Sequence, residues 1–289
     1  MDFWRTCRNA LTWGCFIAFT AGASAADLDL ARSLYQETKY AEVLQMLDKG
    51  GETDARTYEL IGKSYYKLGD YKKATRALEQ AIEQDPNNSD YFDWLGKIYG
   101  KRAETSSFMT AWSYAGKCQK NFERALELDG KNLEAIDDLF EFALNAPGFV
   151  GGGMEKAAAV SERARDVDPA KYHSLKARLA EKLKDFAGEE KHLQSALQIA
   201  PNHLGRIIDM AEFLARRGRI EESEAMFDRA AKVAPNSAEL KFERAKTYID
   251  MGRNRQQAKK LLQEYLQSTL TADDPPKSEA EQLLKRVNG

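Results

Sequence analysis

The stretch NAPGFVGGGMEKA (145–157) puts glycines at 148, 151, 152 and 153, ahead of what reads as a helix start. Such turns can cradle a phosphate, because main-chain N–H groups converge there and a helix N-terminus favours negative charge. A loop of the G-x-x-x-x-G-K-[S/T] kind also needs a lysine directly after its last glycine, to reach the phosphates. Gly148 and Gly153 are correctly separated, but Met154 stands in the lysine's place and no strand pattern leads in. Gly62-Lys63-Ser64 has the tail of the same motif, yet Thr57 sits where its first glycine belongs. Neither stretch is a nucleotide site.

Other reactive side chains are scattered without a working pattern. His173, His192 and His203 have no H-x-x-x-H spacing and no cysteine partners, so no metal is expected. No G-x-S-x-G elbow surrounds a serine. Paired carboxylates such as Asp137-Asp138 and Glu221-Glu222 are ordinary on solvated helix faces. The expectation is a chain without enzymatic activity, catalytic residues, metal or cofactor.

Lysine and arginine number 43 and aspartate and glutamate 45 in 289 residues. This near-neutral balance argues against a nucleic-acid binder, which needs excess basic charge to displace counterions. Residues 1–25 differ from the rest: Arg5 and Arg8 precede an apolar run from Ala10 to Ala21, which ends at Ala23-Ser24-Ala25. This is the pattern of a secretory signal peptide cut near Ala25-Ala26. The run is far below the about 20 residues a bilayer-spanning helix needs, so no stable membrane insertion is expected after cleavage. Cys7 and Cys15 would leave with the signal, and Cys118 would stay without an internal disulfide partner.

From Ala55 the chain reads ARTYELIGKSYYKLGDYKKATRALEQAIEQDPNN, 34 residues. Tyr58, Ile61, Gly62 and Tyr65 share one helix face. Gly69-Asp70 breaks the helix, and Tyr71, Ala74, Leu78 and Ala81 form a second face before Asp85-Pro86. Small residues at Gly62, Ala74 and Ala81 would let two antiparallel helices approach closely. The pattern resembles the tetratricopeptide repeat, and recurs along nearly all of the chain after residue 25. Leu204–Ser237 repeats it with Ala211, Leu214, Gly218, Phe227, Ala230 and Pro235; Ala170–His203 does so with Glu189 in place of a small residue.

The resemblance implies an all-α, right-handed superhelical solenoid of antiparallel helix pairs. Repeats are expected near 28–54, 55–88, 89–132, 133–169, 170–203, 204–237 and 238–270, followed by a capping helix at 277–287. It further implies a scaffold or adaptor for a peptide or protein partner, and the signal-peptide pattern of residues 1–25 adds the expectation of an exported bacterial protein, periplasmic or secreted. Binding of a small ligand by the same surface is the alternative.

Two repeats depart from the pattern at equivalent points. Nineteen positions separate Tyr99 from Cys118 and fourteen separate Ala143 from Ala157, against nine between Tyr65 and Ala74. Both insertions fall between the two helices of a repeat, the second being the glycine-rich stretch, and they should emerge side by side. Three aromatics, Phe108, Trp112 and Tyr114, stand in the first and Phe149 in the second. The amides around Gly151, Gly152 and Gly153, where the Met154 helix begins, could hold an anion or a terminal carboxylate.

The concave groove of such a solenoid is lined by the first helices. Its fifth and ninth positions include Glu59 and Lys63, Asp93 and Lys97, Asp137 and Glu141, and Ser174 and Arg178. Local i,i+4 pairing accounts for the first two couples at a few tenths of a kcal/mol; a mixed-charge peptide groove is the sharper reading. Co-chaperones of this family use lysine at the fifth position and asparagine at the ninth to grip a terminal carboxylate. That combination is missing here, so the clamp is not carried over. The candidate partner-binding residues are Tyr66, Asp93, Lys97, Lys101, Glu141 and Arg178 in the groove, with Phe108, Trp112, Tyr114, Phe149 and Gly151–Gly153 on the insertions.

Overall fold

A computed structural model describes residues 25–49 and 53–288; all but the last residue of the proposed signal peptide lies outside them. Among the described residues there are fifteen α-helices and no strand. Fourteen run in consecutive pairs: α1 (Ala25–Gln36) with α2 (Tyr40–Leu47), α3 (Ala55–Lys67) with α4 (Tyr71–Gln84), α5 (Ser89–Glu104) with α6 (Phe108–Leu128), and α7 (Leu133–Asn145) with α8 (Met154–Glu162). The pairs α9 (Pro169–Lys182) and α10 (Phe186–Ile199), α11 (Leu204–Arg216) and α12 (Ile220–Val233), and α13 (Ala238–Asp250) and α14 (Arg255–Gln267) follow, and α15 (Lys277–Asn288) closes the series. Each helix packs on its pair-mate and on the next hairpin, which makes an all-α solenoid. No described helix is long and apolar enough to cross a membrane.

The local chemistry accounts for the helix boundaries. Asp54, Asp70, Asn132, Asp168 and Asp185 each accept a main-chain N–H from the first turn of the helix they precede. Such caps satisfy donors that the helix leaves free, each for about 1 kcal/mol. Within the second hairpin a Cβ on Gly62 would run into the Leu78 side chain, while Ala74 and Ala81 are fully buried. Glycine and alanine are therefore what the close helix approach requires. The hairpin turn takes a left-handed residue, supplied by Gly69, Gly218 and Gly252 but by Thr38 and Lys184 in the first and fifth pairs.

The first insertion is not the extended turn that its position between helices suggests. Its residues lengthen both neighbours: α5 continues to Glu104 and α6 starts at Phe108 and runs for 21 residues, leaving only Thr105–Ser107 between them. The physical reason is that KRAETSSFMTAWSYAGKCQ contains no proline and keeps apolar residues at helical spacing. The second insertion does form a turn. Pro147 ends α7, Gly148–Val150 makes one 3-10 turn, and Gly151 and Gly153 take φ of 106° and 139°.

The far end of the solenoid also touches its beginning. Ala272 belongs to the apolar cluster of Leu28, Ala31, Tyr35, Leu60 and Ile61, and the Lys67 ammonium donates to its carbonyl. Asp274 fixes the turn by accepting from the N–H and hydroxyl of Thr271 at 2.8 and 2.9 Å, and the Tyr265 hydroxyl donates to the Pro275 carbonyl. The segment between α14 and α15 thus bridges the last hairpin to the first two. In sequence it reads only as a helix breaker.

Candidate functional site

The charged residues of the concave face meet across repeats. Lys97 of α5 lies 3.0 Å from Asp93 on its own helix and 3.2 Å from Asp138 on α7, and it also bonds Glu134. The three acids bring carboxylate oxygens within 4.8 Å of one another around the place this ammonium fills. One step along, Arg178 of α9 contacts Asp137 at 3.0 Å and also pairs with Glu141, while Lys171 reaches Asp137 at 2.9 Å. The i,i+4 couples Glu59–Lys63 and Asp93–Lys97 both form, but the second carries the inter-repeat contacts as well. Asp93, Lys97, Glu141 and Arg178 are thus engaged in holding neighbouring repeats together.

Burial shapes the protonation of this cluster. Asp93 is 1% exposed, and burial followed by the charge of Asp138 pushes its carboxyl up to about 8. Burial lifts Asp138 as well, against the opposing pull of Lys97. Burial disfavours the Lys97 charge, but Asp138, Asp93 and Glu134 outweigh it and keep the ammonium above the ordinary lysine range. The cluster therefore holds its cation firmly and sheds part of its negative charge by binding a proton.

Beside it lies a cavity of about 570 Å3 that the insertions help to build. α5 contributes Lys97, Gly100 and Lys101, α6 contributes Ala115, Cys118 and Phe122, and α7 contributes Asp138, Glu141 and Phe142. Tyr66 stands at one side, and Pro147 and Val150 of the glycine-rich turn at the other. A second cavity of about 590 Å3 shares Tyr66 and Lys101 and extends under the bridging segment at Leu270–Lys277. The Cys118 thiol is buried and pushed up to about 12 by that burial, so it is a poor nucleophile.

At the outer rim the two insertions touch. The Trp112 ring lies 5.1 Å from Phe149 and 4.6 Å from the other side of the cluster, Phe108. Phe108, Met109 and Phe149 remain 68, 84 and 69% exposed, and Trp112 46%. Tyr114 turns away from this group: it stacks on Tyr99 at 5.9 Å and takes the Arg102 guanidinium over its ring at 4.2 Å. Met109, next to Phe108 in the first turn of α6, is a further exposed apolar residue that the sequence pattern did not single out.

The glycines shape the turn. The N–H groups of Gly151, Gly152 and Gly153 donate to the carbonyls of Gly148, Pro147 and Ala143. They are therefore spent within the chain, which removes them from the anion cradle suggested by their sequence. A Cβ on Gly152 would overlap the Ala146 carbonyl, so only glycine lets the turn fold back on α7.

Comparison with known proteins agrees with this architecture. Residues 62–102 match a family model described as TPR repeat, and residues 184–241 match one described as tetratricopeptide repeat. Among curated proteins, the chain is 26% identical over 206 residues to Superkiller protein 3 of Schizosaccharomyces pombe, covering 66% of this chain and 14% of that protein. It is 25% identical over 254 residues to DnaJ homolog subfamily C member 7 of Homo sapiens, covering 77% of this chain and 44% of that protein. The chain thus spans less than half the length of either relative. A solved tetratricopeptide repeat protein from Parabacteroides merdae superposes with a TM-score of 0.59 over 91% of this chain and 98% of that one, at 11% identity. A thermophilic TPR protein from Thermus thermophilus gives 0.52 over 68% of this chain and 99% of that one, at 20% identity. Identities this low speak for the fold alone. With the repeat register, the paired helices and the matched models in agreement, the chain carries tetratricopeptide repeats.

Proposed function

We propose that this chain is an exported, non-enzymatic scaffold that captures a protein partner on the rim built by its two insertions. One observation carries the reading: Phe108, Trp112 and Phe149 form a contiguous apolar group on the surface, held in place by contact between two repeats, and the exposed Met109 follows Phe108 in the chain. Aromatic anchors of this kind dominate binding energy at protein interfaces. The groove charges, by contrast, already pair with one another across repeats. Export is supported by the signal-like pattern of residues 1–25.

A photo-crosslinking side chain placed at Met109 or at Phe149 tests this in cells, with Lys260 on α14 as the control position. The expected result is one discrete crosslinked partner from both rim positions and none from Lys260. Equal capture from all three positions would contradict the rim as the binding surface.

The cavity of about 570 Å3 favours a second reading, because its size and mixed lining suit a small ligand. A ligand seated there would raise the melting temperature. Phe142→Trp, which narrows the cavity, should weaken that shift while leaving capture at the rim intact.

A further inference from the structure

His173 of α9 and His192 of α10 meet across the fifth hairpin with their Nδ1 atoms 2.9 Å apart and ring centroids 5.2 Å apart. Nineteen residues of sequence hide this pairing. Two adjacent imidazoles with nitrogens facing one another are either a hydrogen-bonded pair or two ligands awaiting one ion. Both rings are half-buried, so their outer side stays open to water. Burial lowers the proton affinity of both, followed by Arg165 and Lys191 for His173 and by His173, Lys176 and Lys191 for His192. Neutral rings with available lone pairs are what metal binding requires.

The distance also selects the metal. With metal–nitrogen bonds of about 2.0–2.1 Å, two nitrogens 2.9 Å apart subtend an angle of about 90° at the ion. A tetrahedral zinc site would need them farther apart. An angle near 90° suits neighbouring positions of a square-planar or tetragonal ion, the geometry of Cu(II) and Ni(II), and imidazole is a good ligand for both. We propose that His173 and His192 form a two-histidine binding site for Cu(II), with Ni(II) a weaker occupant, water completing the coordination. Binding needs the protonated Nδ1 to pass its hydrogen to Nε2, a tautomer change that leaves each ring neutral, and a turn of each ring by about 45°, the base angle of that triangle, to swing its lone pair off the N···N line while the nitrogens keep their separation.

The surrounding charges moderate affinity. Arg165, Lys176 and Lys191 oppose a dication, but Glu162 pairs with Arg165 and, at 3.5 Å, with Lys176, and the Asp185 charge acts on His192 in the favourable sense. The Tyr172 ring, 5.1 Å from His173, walls one side.

The test uses the full chain without a histidine tag, titrated with Cu(II) and with Zn(II) and followed by electron paramagnetic resonance and thermal melting. The site predicts one Cu(II) whose spectrum shows coupling to two nitrogens, and a melting shift with Cu(II) larger than with Zn(II). His173→Gln and His192→Gln should each lose that spectrum and shift while melting normally without metal, and His203→Gln should keep both. A Cu(II) spectrum unchanged in His173→Gln, or no Cu(II) bound by the untouched chain, overturns the proposal. If a variant fails to fold, Cu(II) protection of the untouched chain's His173 and His192 from diethyl pyrocarbonate modification, with His203 still modified, decides in its place.

Discussion

The Trp112 and Phe149 rings lie 5.1 Å apart although they come from the inserted segments of different repeats. Their contact ties the third hairpin to the fourth at the rim, and it leaves most of Phe149 and nearly half of Trp112 facing solvent. An aromatic pair of this kind contributes about 0.5–1.5 kcal/mol beyond its buried area. A double-mutant cycle of Trp112→Ala and Phe149→Ala should therefore give a coupling energy of that size in chemical unfolding. Additive single effects would mean that the two insertions do not support one another.

Gly152 is the glycine whose replacement should cost most in the second insertion. Its φ is not in the left-handed region, so the obstacle is steric: a Cβ there meets the backbone of Ala146, which cannot rotate aside. Gly152→Ala should cost about 1–3 kcal/mol, as overpacking does. Gly148→Ala, with open space around its Cβ and ordinary φ, should cost less. Equal stabilities would mean that the turn does not fold back on α7.

The acid cluster gives a pH signature. A carboxyl whose proton affinity is raised on folding stabilises the folded state fully below its unfolded pKa, and that contribution disappears as pH rises to the folded value. For Asp93 this window runs from the ordinary carboxylate range up to about 8. Stability should fall across it, and Asp93→Asn should flatten the slope in melting temperature measured between pH 4 and pH 8. An unchanged slope would place the proton elsewhere.

Ala272 tests the bridge between the chain's two ends. It is 3% exposed and packed among residues of α1 and α3, so Ala272→Asp should cost about 2–4 kcal/mol through an unpaired buried charge. Hydrogen exchange should then quicken at Leu28–Tyr35, more than 200 residues away in sequence but in the same apolar cluster. Faster exchange confined to α15 would contradict the bridge.

Much of the fold could be read from residue spacing, because each repeat carries its own face, turn and breaker. Gly62, Ala74 and Ala81 carry the close helix approach in their residue types alone, and Gly69 and Gly218 do the same for the turns. The misses share a cause. The helical character of Lys101–Lys117 was obscured by treating a departure from the 34-residue period as a departure from helix. Lys97 reads as an i,i+4 partner of Asp93, while its contacts with Glu134 and Asp138 depend on how repeats stack. The Ala272 bridge and the His173–His192 pair likewise arise from superhelical and hairpin geometry, which no local pattern encodes.

If the aromatic rim carries partner recognition, its loss must weaken binding more than loss of a groove charge. The measurement is the affinity of the partner captured through Phe149 for the unaltered chain, for a Phe108→Ser, Trp112→Ser, Phe149→Ser variant, and for an Arg178→Gln groove variant, each checked for intact helicity. The rim variant should lose at least thirtyfold in affinity, about 2 kcal/mol, and the groove variant should change less than threefold. The reverse order of effects would contradict this and move recognition to the concave face.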